Sequence, residues 1–232
     1  LKDDKILTAW NGLMIAAMAK AYQVLGEEIY LQAAQQAARF LEQNLMKNGR
    51  LLRRYRDGDV TSSGYLDDYA YLIAGLLTLY EADFDPTWAN WARDLQVKQN
   101  EIFWDEQLGA YYYSQADDPN LIRRSVDLND RTLPNSNAVS ALNLLKLHDF
   151  TFEPSYREKA RSLLAADSGR LIRYPSAYAQ ALIALDYHLD HAKEIAVIGP
   201  AHNDLTQQIL SWLRRSFIPN KTLGFGLPDQ NS

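Results

Sequence analysis

Apolar residues along this chain recur with helical spacing, and they sort the predicted helices into two kinds. In the first kind the apolar and small residues run nearly all the way round. Residues 8–25 carry Leu13, Met14, Ile15, Ala16, Ala17 and Met18. Residues 66–82 carry Leu72, Ile73, Ala74, Gly75, Leu76 and Leu77. Residues 135–147 and 175–189 read the same way. A helix with no polar face is expected to be buried on all sides. In the second kind a single apolar stripe faces a polar one. Residues 28–46 place Leu31, Ala34, Ala38, Leu41 and Leu45 on one side, and residues 86–102 and 155–166 follow suit. Asp85 before Pro86 is the expected cap of one of these helices.

The two kinds alternate, which is a repeat of architecture rather than of letters. Connections after the first kind are short. Those after the second kind are longer and hold strand-like pieces at residues 50–55 and 109–114, the former ending in the turn Arg56-Asp57-Gly58-Asp59. The pattern predicts inner helices ringed by outer ones, with the long loops gathered where the inner helices begin. The last stretch reads differently, as a strand at 194–199, a helix at 204–216 and a strand at 222–227. We therefore expect a toroidal part over 1–192 and a strand-helix-strand cap over 193–232. Gly199-Pro200-Ala201-His202 lacks the spacing of a dinucleotide-binding turn, so no nucleotide cofactor is expected there.

Composition narrows the function classes. A net charge of -5 gives no electrostatic footprint for nucleic acid or for anionic membranes. The absence of cysteine excludes disulfides and thiolate chemistry within the chain and suits a reducing, cytoplasmic setting. No apolar run is long enough to span a bilayer as a helix. The chain opens on Leu1 with a helix pattern close behind, which reads as a piece of something longer.

Several motifs are long enough to carry a family resemblance. Residues 3–17, Asp-Asp-Lys-Ile-Leu-Thr-Ala-Trp-Asn-Gly-Leu-Met-Ile-Ala-Ala, and residues 64–70, Gly-Tyr-Leu-Asp-Asp-Tyr-Ala, resemble signatures of thioredoxin-domain-containing proteins of the spermatogenesis-associated type. Phe103-Trp104-Asp105, Gly109-Ala110-Tyr111-Tyr112 and Ile218-Pro219-Asn220-Lys221 match the same family. Where that family has Pro-Ser-Gly-Asn-Ser, this chain has Pro134-Asn135-Ser136-Asn137-Ala138; the glycine is replaced by Ser136. The resemblance implies an all-α, partial (α/α)6 toroid similar to those of N-acylglucosamine 2-epimerases and six-hairpin glycosidases. It also implies an upstream thioredoxin-like domain and remaining ring helices as partners. Seven ring helices are readable here, so the chain is expected to have raw apolar edges and to self-associate.

The starts of the four inner helices carry the candidate chemistry. They supply Asp4, Trp10 and Asn11; Tyr65, Asp67, Asp68 and Tyr69; Asp130, Arg131, Asn135 and Asn137; and Tyr178. Carboxylates beside aromatic platforms suit a sugar, so Asp4, Asp67, Asp68 and Asp130 are candidate catalytic acids and the others candidate substrate contacts. A pair of carboxylates about 5–10 Å apart is what glycoside hydrolysis needs. Each group also has a structural reading. The aspartates are expected as caps and dipole partners, and Asn11 and Asn137 as latches to loop carbonyls. Adjacent residues on a helix point about 100° apart, so at most one of Asp67 and Asp68 can face the ring's interior. Toroidal 2-epimerases use paired histidines, but His148, His188 and His191 fall at the ends of inner helices and His202 in the tail. No metal site is expected. The two function classes in view are a carbohydrate-binding or carbohydrate-active toroid of the epimerase, isomerase or glycosidase type, and a non-catalytic interaction module.

Overall fold

A computed structural model describes residues 3–117, 121–190 and 192–228. His191 and the last four residues lie outside them. Helix α1 (Thr8–Leu25), α3 (Leu66–Asp83), α5 (Ser136–Thr151) and α8 (Ala179–Leu189) are the inner helices, packed side by side in that order. Helices α2 (Glu28–Asn44), α4 (Pro86–Phe103) and α6 (Pro154–Ala165) return antiparallel along the outside. The outer helices bury only their stripes, such as Leu31, Ala34, Ala38 and Leu41 on α2. Their N-termini are capped as the local sequence requires: Asp85 Oδ1 accepts from the Thr87 N–H at 3.0 Å, with Pro86 in the first turn.

Inner helices differ in how far their apolar sides are covered. Helix α3, with inner neighbours on both flanks, buries Leu66 through Ile73 without a break. Helices α1 and α8 each pack extensively against one inner helix among the described residues, and α1 exposes Trp10 and Met14 while α8 exposes Ile183 and Leu189. The expectation of burial on every side therefore holds for the middle of the arc and not for its two flanks. Helices α1 and α3 approach closely at two glycines. A Cβ on Gly12 would lie 2.6 Å from the Leu72 backbone nitrogen, and one on Gly75 would lie 2.6 Å from the Gly12 carbonyl oxygen.

Small sheets sit over the starts of the inner helices. Strand β3 (Arg50–Arg56) is central, pairing antiparallel with β1 (Ile6–Leu7), β2 (Met46–Lys47) and β4 (Asp59–Ser63). The predicted strand around residues 109–114 shrinks to a short hairpin of β5 (Trp104–Asp105) with β6 (Ala110–Tyr111). Nor is residues 175–189 one helix. A short α7 (Ser168–Arg173) and a 3-10 turn (Pro175–Ala177) precede α8, and Tyr178 breaks the path with φ -135° and ψ 31°. Proline fixes its own backbone but cannot extend a hydrogen-bonded helix backward, which is why the turn stays separate.

In the tail, β7 (Lys193–Ile198) and β8 (Lys221–Gly226) pair in parallel, joined through α9 (Asp204–Arg215). This unit covers the other end of the inner helices. Phe225 packs on Phe84 at the end of α3, and the Thr222 and Tyr187 hydroxyls meet at 2.6 Å beside Asp149. No helix among the described residues is long and apolar enough to cross a membrane.

Candidate functional site

The first turn of α3 brings two carboxylates to one cation. Strand β3 alternates faces, so Arg53 lies on the same side as the buried Leu51 and points at the helix ends. A single guanidinium nitrogen of Arg53 donates to Asp67 Oδ1 and to Asp68 Oδ2, each at 3.0 Å. Its plane lies over the Tyr65 ring, 4.8 Å from the centroid. Tyr65 in turn stacks on Tyr113 at 5.2 Å, and the Tyr113 hydroxyl donates to Asp67 Oδ2 at 3.1 Å.

Asp68 is fully consumed by this arrangement. Its Oδ2 also accepts from the Tyr65 N–H at 2.9 Å, closing the helix start, and its Oδ1 accepts from the Ala9 N–H at 2.9 Å, tying α1 to α3. The residue is 0% exposed. Burial and then the neighbouring Asp67 charge push its carboxyl up to about 7, against the pull of Arg53 and the two backbone N–H groups. Asp67 keeps 8% of its surface exposed and is the one of the pair with an edge toward solvent. Burial, and then the Asp67 charge, hold the Tyr113 phenol above its usual range, so it stays a donor.

The other expected residues divide between latches and surface. Asn137 clamps the loop after β6: its Oδ1 accepts from the Tyr111 N–H at 2.8 Å, and its Nδ2 donates to the Tyr111 and Asp127 carbonyls at 3.0 Å. Asn135 caps α5 through the Ala138 N–H and donates to the Asp127 and Asn129 carbonyls. Asp130 accepts from the Asn135 and Gln180 N–H groups, joining the starts of α5 and α8. Tyr69 is buried in the core, its hydroxyl oxygen taking the Leu51 N–H. Tyr178 donates to Asp167 at 2.5 Å; with Asn135 and Asn137 it lines a cavity of about 20 Å³, too tight for a sugar ring. Asn11 donates to the Leu7 carbonyl one turn back. Asp4 pairs with Arg56 at 2.8 Å, and the exposed Arg131 with Asp127 at 3.3 Å.

Trp10 is different, with 61% of its surface exposed. It follows Ala9, whose N–H Asp68 holds, so its backbone is tied to the start of α3. Sequence reasoning missed Arg53. The strand alternation that puts it level with Leu51 was a usable signal, while Tyr113 reaches Asp67 through the long loop. His148 and His188 lie in the last turns of α5 and α8, at the opposite end, while His202 is exposed in the tail and His191 is outside the described residues. Among the described residues no group of three or more His, Asp or Glu is placed to hold a metal ion.

Alternating inner and outer helices with inner starts gathered at one end define a partial (α/α)6 toroid. Solved structures share the fold. A GH76 α-mannanase of Bacteroides thetaiotaomicron aligns with TM-score 0.63 and 14% identity, over 92% of this chain and 57% of that one. The cellobiose 2-epimerase of Bacillus thermoamylovorans aligns with TM-score 0.59 and 16% identity, over 71% and 44% respectively. A D-mannose isomerase aligns with TM-score 0.55 and 18% identity, over 69% and 41%. At such identities the likeness is one of fold. In sequence, the chain is homologous to a segment of spermatogenesis-associated protein 20. It is 37% identical to the Homo sapiens protein over 232 residues, covering 95% of this chain and 30% of that protein. An uncharacterised Caenorhabditis elegans protein is 30% identical over 226 residues, 94% of this chain and 31% of that protein. The chain thus spans less than a third of the length of these curated relatives. No family model matches it.

Proposed function

We propose that this chain forms a carbohydrate-binding part of a toroid, with a sugar ring docking on Trp10 and its hydroxyls meeting Asp67, Arg53 and Tyr113. One observation carries the reading: a large indole, exposed on a backbone that Asp68 pins to the helix start where Arg53 also binds Asp67 and Asp68. Aromatic faces take the C–H faces of sugars, and fixed hydrogen-bonding groups take their hydroxyls. The solved toroids of similar fold include, by name, epimerases, an isomerase and a mannanase, which supports the same class of ligand.

No acid–base step is assigned to the four aspartates. Asp68 has no surface to offer, Asp130 is spent on two backbone N–H groups, and Asp4 is paired with Arg56. Saturation-transfer NMR with mannose, glucose and cellobiose, read with the indole resonance of Trp10, tests the proposal. We expect a sugar-dependent shift of that resonance, lost in Trp10→Ala; the residue's exposure makes the substitution harmless to folding. Sugar-independent spectra, or binding unchanged in Trp10→Ala, would overturn it in favour of a non-catalytic interaction module.

A further inference from the structure

We draw no further inference here: the strongest candidate, the apolar surface patch of Met14, Ala17 and Val24 along the open flank of α1, carries nothing because no observation in the structure shows what covers it.

Discussion

Removing Arg53 tests the wiring of the Trp10 end most directly. In Arg53→Gln part of the aliphatic stem is kept, while the guanidinium over Tyr65 and the charge shared by Asp67 and Asp68 are lost. Deleting one member of a buried ion pair costs about 3–5 kcal/mol, because the partner's charge stays behind without compensation. Arg53 is 28% exposed at its side chain, so water screens part of the loss and the figure falls to about 2–3 kcal/mol. Asp68 gives the effect a pH signature. Its carboxyl, at about 7 in the folded chain against 3.8 as an ordinary aspartate, binds a proton more readily folded than unfolded. Stability from this group is therefore greatest below 3.8 and declines as pH rises through 7. Without Arg53, one of the influences holding that carboxyl down is gone, so acidification should rescue the variant more than the parent. Urea unfolding at pH 8 and pH 5 should show a gap of about 2–3 kcal/mol at the higher pH that narrows at the lower. A gap under about 0.5 kcal/mol at pH 8 would be the size of an ordinary surface change and would refute the bridge, as would a gap that ignores pH.

Other perturbations probe other parts of the molecule. Gly12→Ala sets a methyl 2.6 Å from α3 backbone that no side-chain rotation can clear; overpacking of about 1–3 kcal/mol should outweigh the ~1 kcal/mol gain in helix propensity, and a raised thermal midpoint would show that α1 and α3 are not so close. His188 titrates below 6.5 in the folded chain, so the unfolded chain takes its proton first and stability should fall as pH drops below 6.5. Thermal midpoints between pH 7.5 and 5.5 should fall less steeply in His188→Gln; identical slopes would count against the buried imidazole. The exposed apolar side chains of α1 and α8, among them Met14 and Ile183, should drive concentration-dependent association, and sedimentation as a monomer throughout would refute that.

The helices were legible because each states its own burial. A stripe such as Leu31, Ala34, Ala38 and Leu41 fixes a helix and its buried face from local spacing alone. What sequence could not state was which neighbours an inner helix has. Leu72 and Ile183 sit in equally apolar segments, yet one is buried and the other exposed, because α3 is flanked on both sides and α8 on one. The same limit hid the cluster at the site. Asp67 and Asp68 could be read as caps or as acids, and Asp68 turned out to bond a helix start and an N–H of α1 at once. That outcome depends on Arg53 and Ala9 arriving from distant segments, a matter of tertiary register rather than of periodicity. The α8 start was missed for a local reason, the kink at Tyr178 that follows the Pro175–Ala177 turn.

Charge counted along the sequence marked the starts of the inner helices as the acidic, and so the chemically promising, end. In three dimensions most of that charge is already spoken for. Arg53 and Arg56 take Asp67, Asp68 and Asp4, and backbone N–H groups at helix starts take Asp130. Helix N-termini attract carboxylates whether or not a ligand is involved, so an acid there says little about chemistry until its partners are known. Acids already held by guanidinium and backbone N–H groups, with the exposed Trp10 at the same helix starts, suit a hydroxyl-rich ligand better than a metal ion.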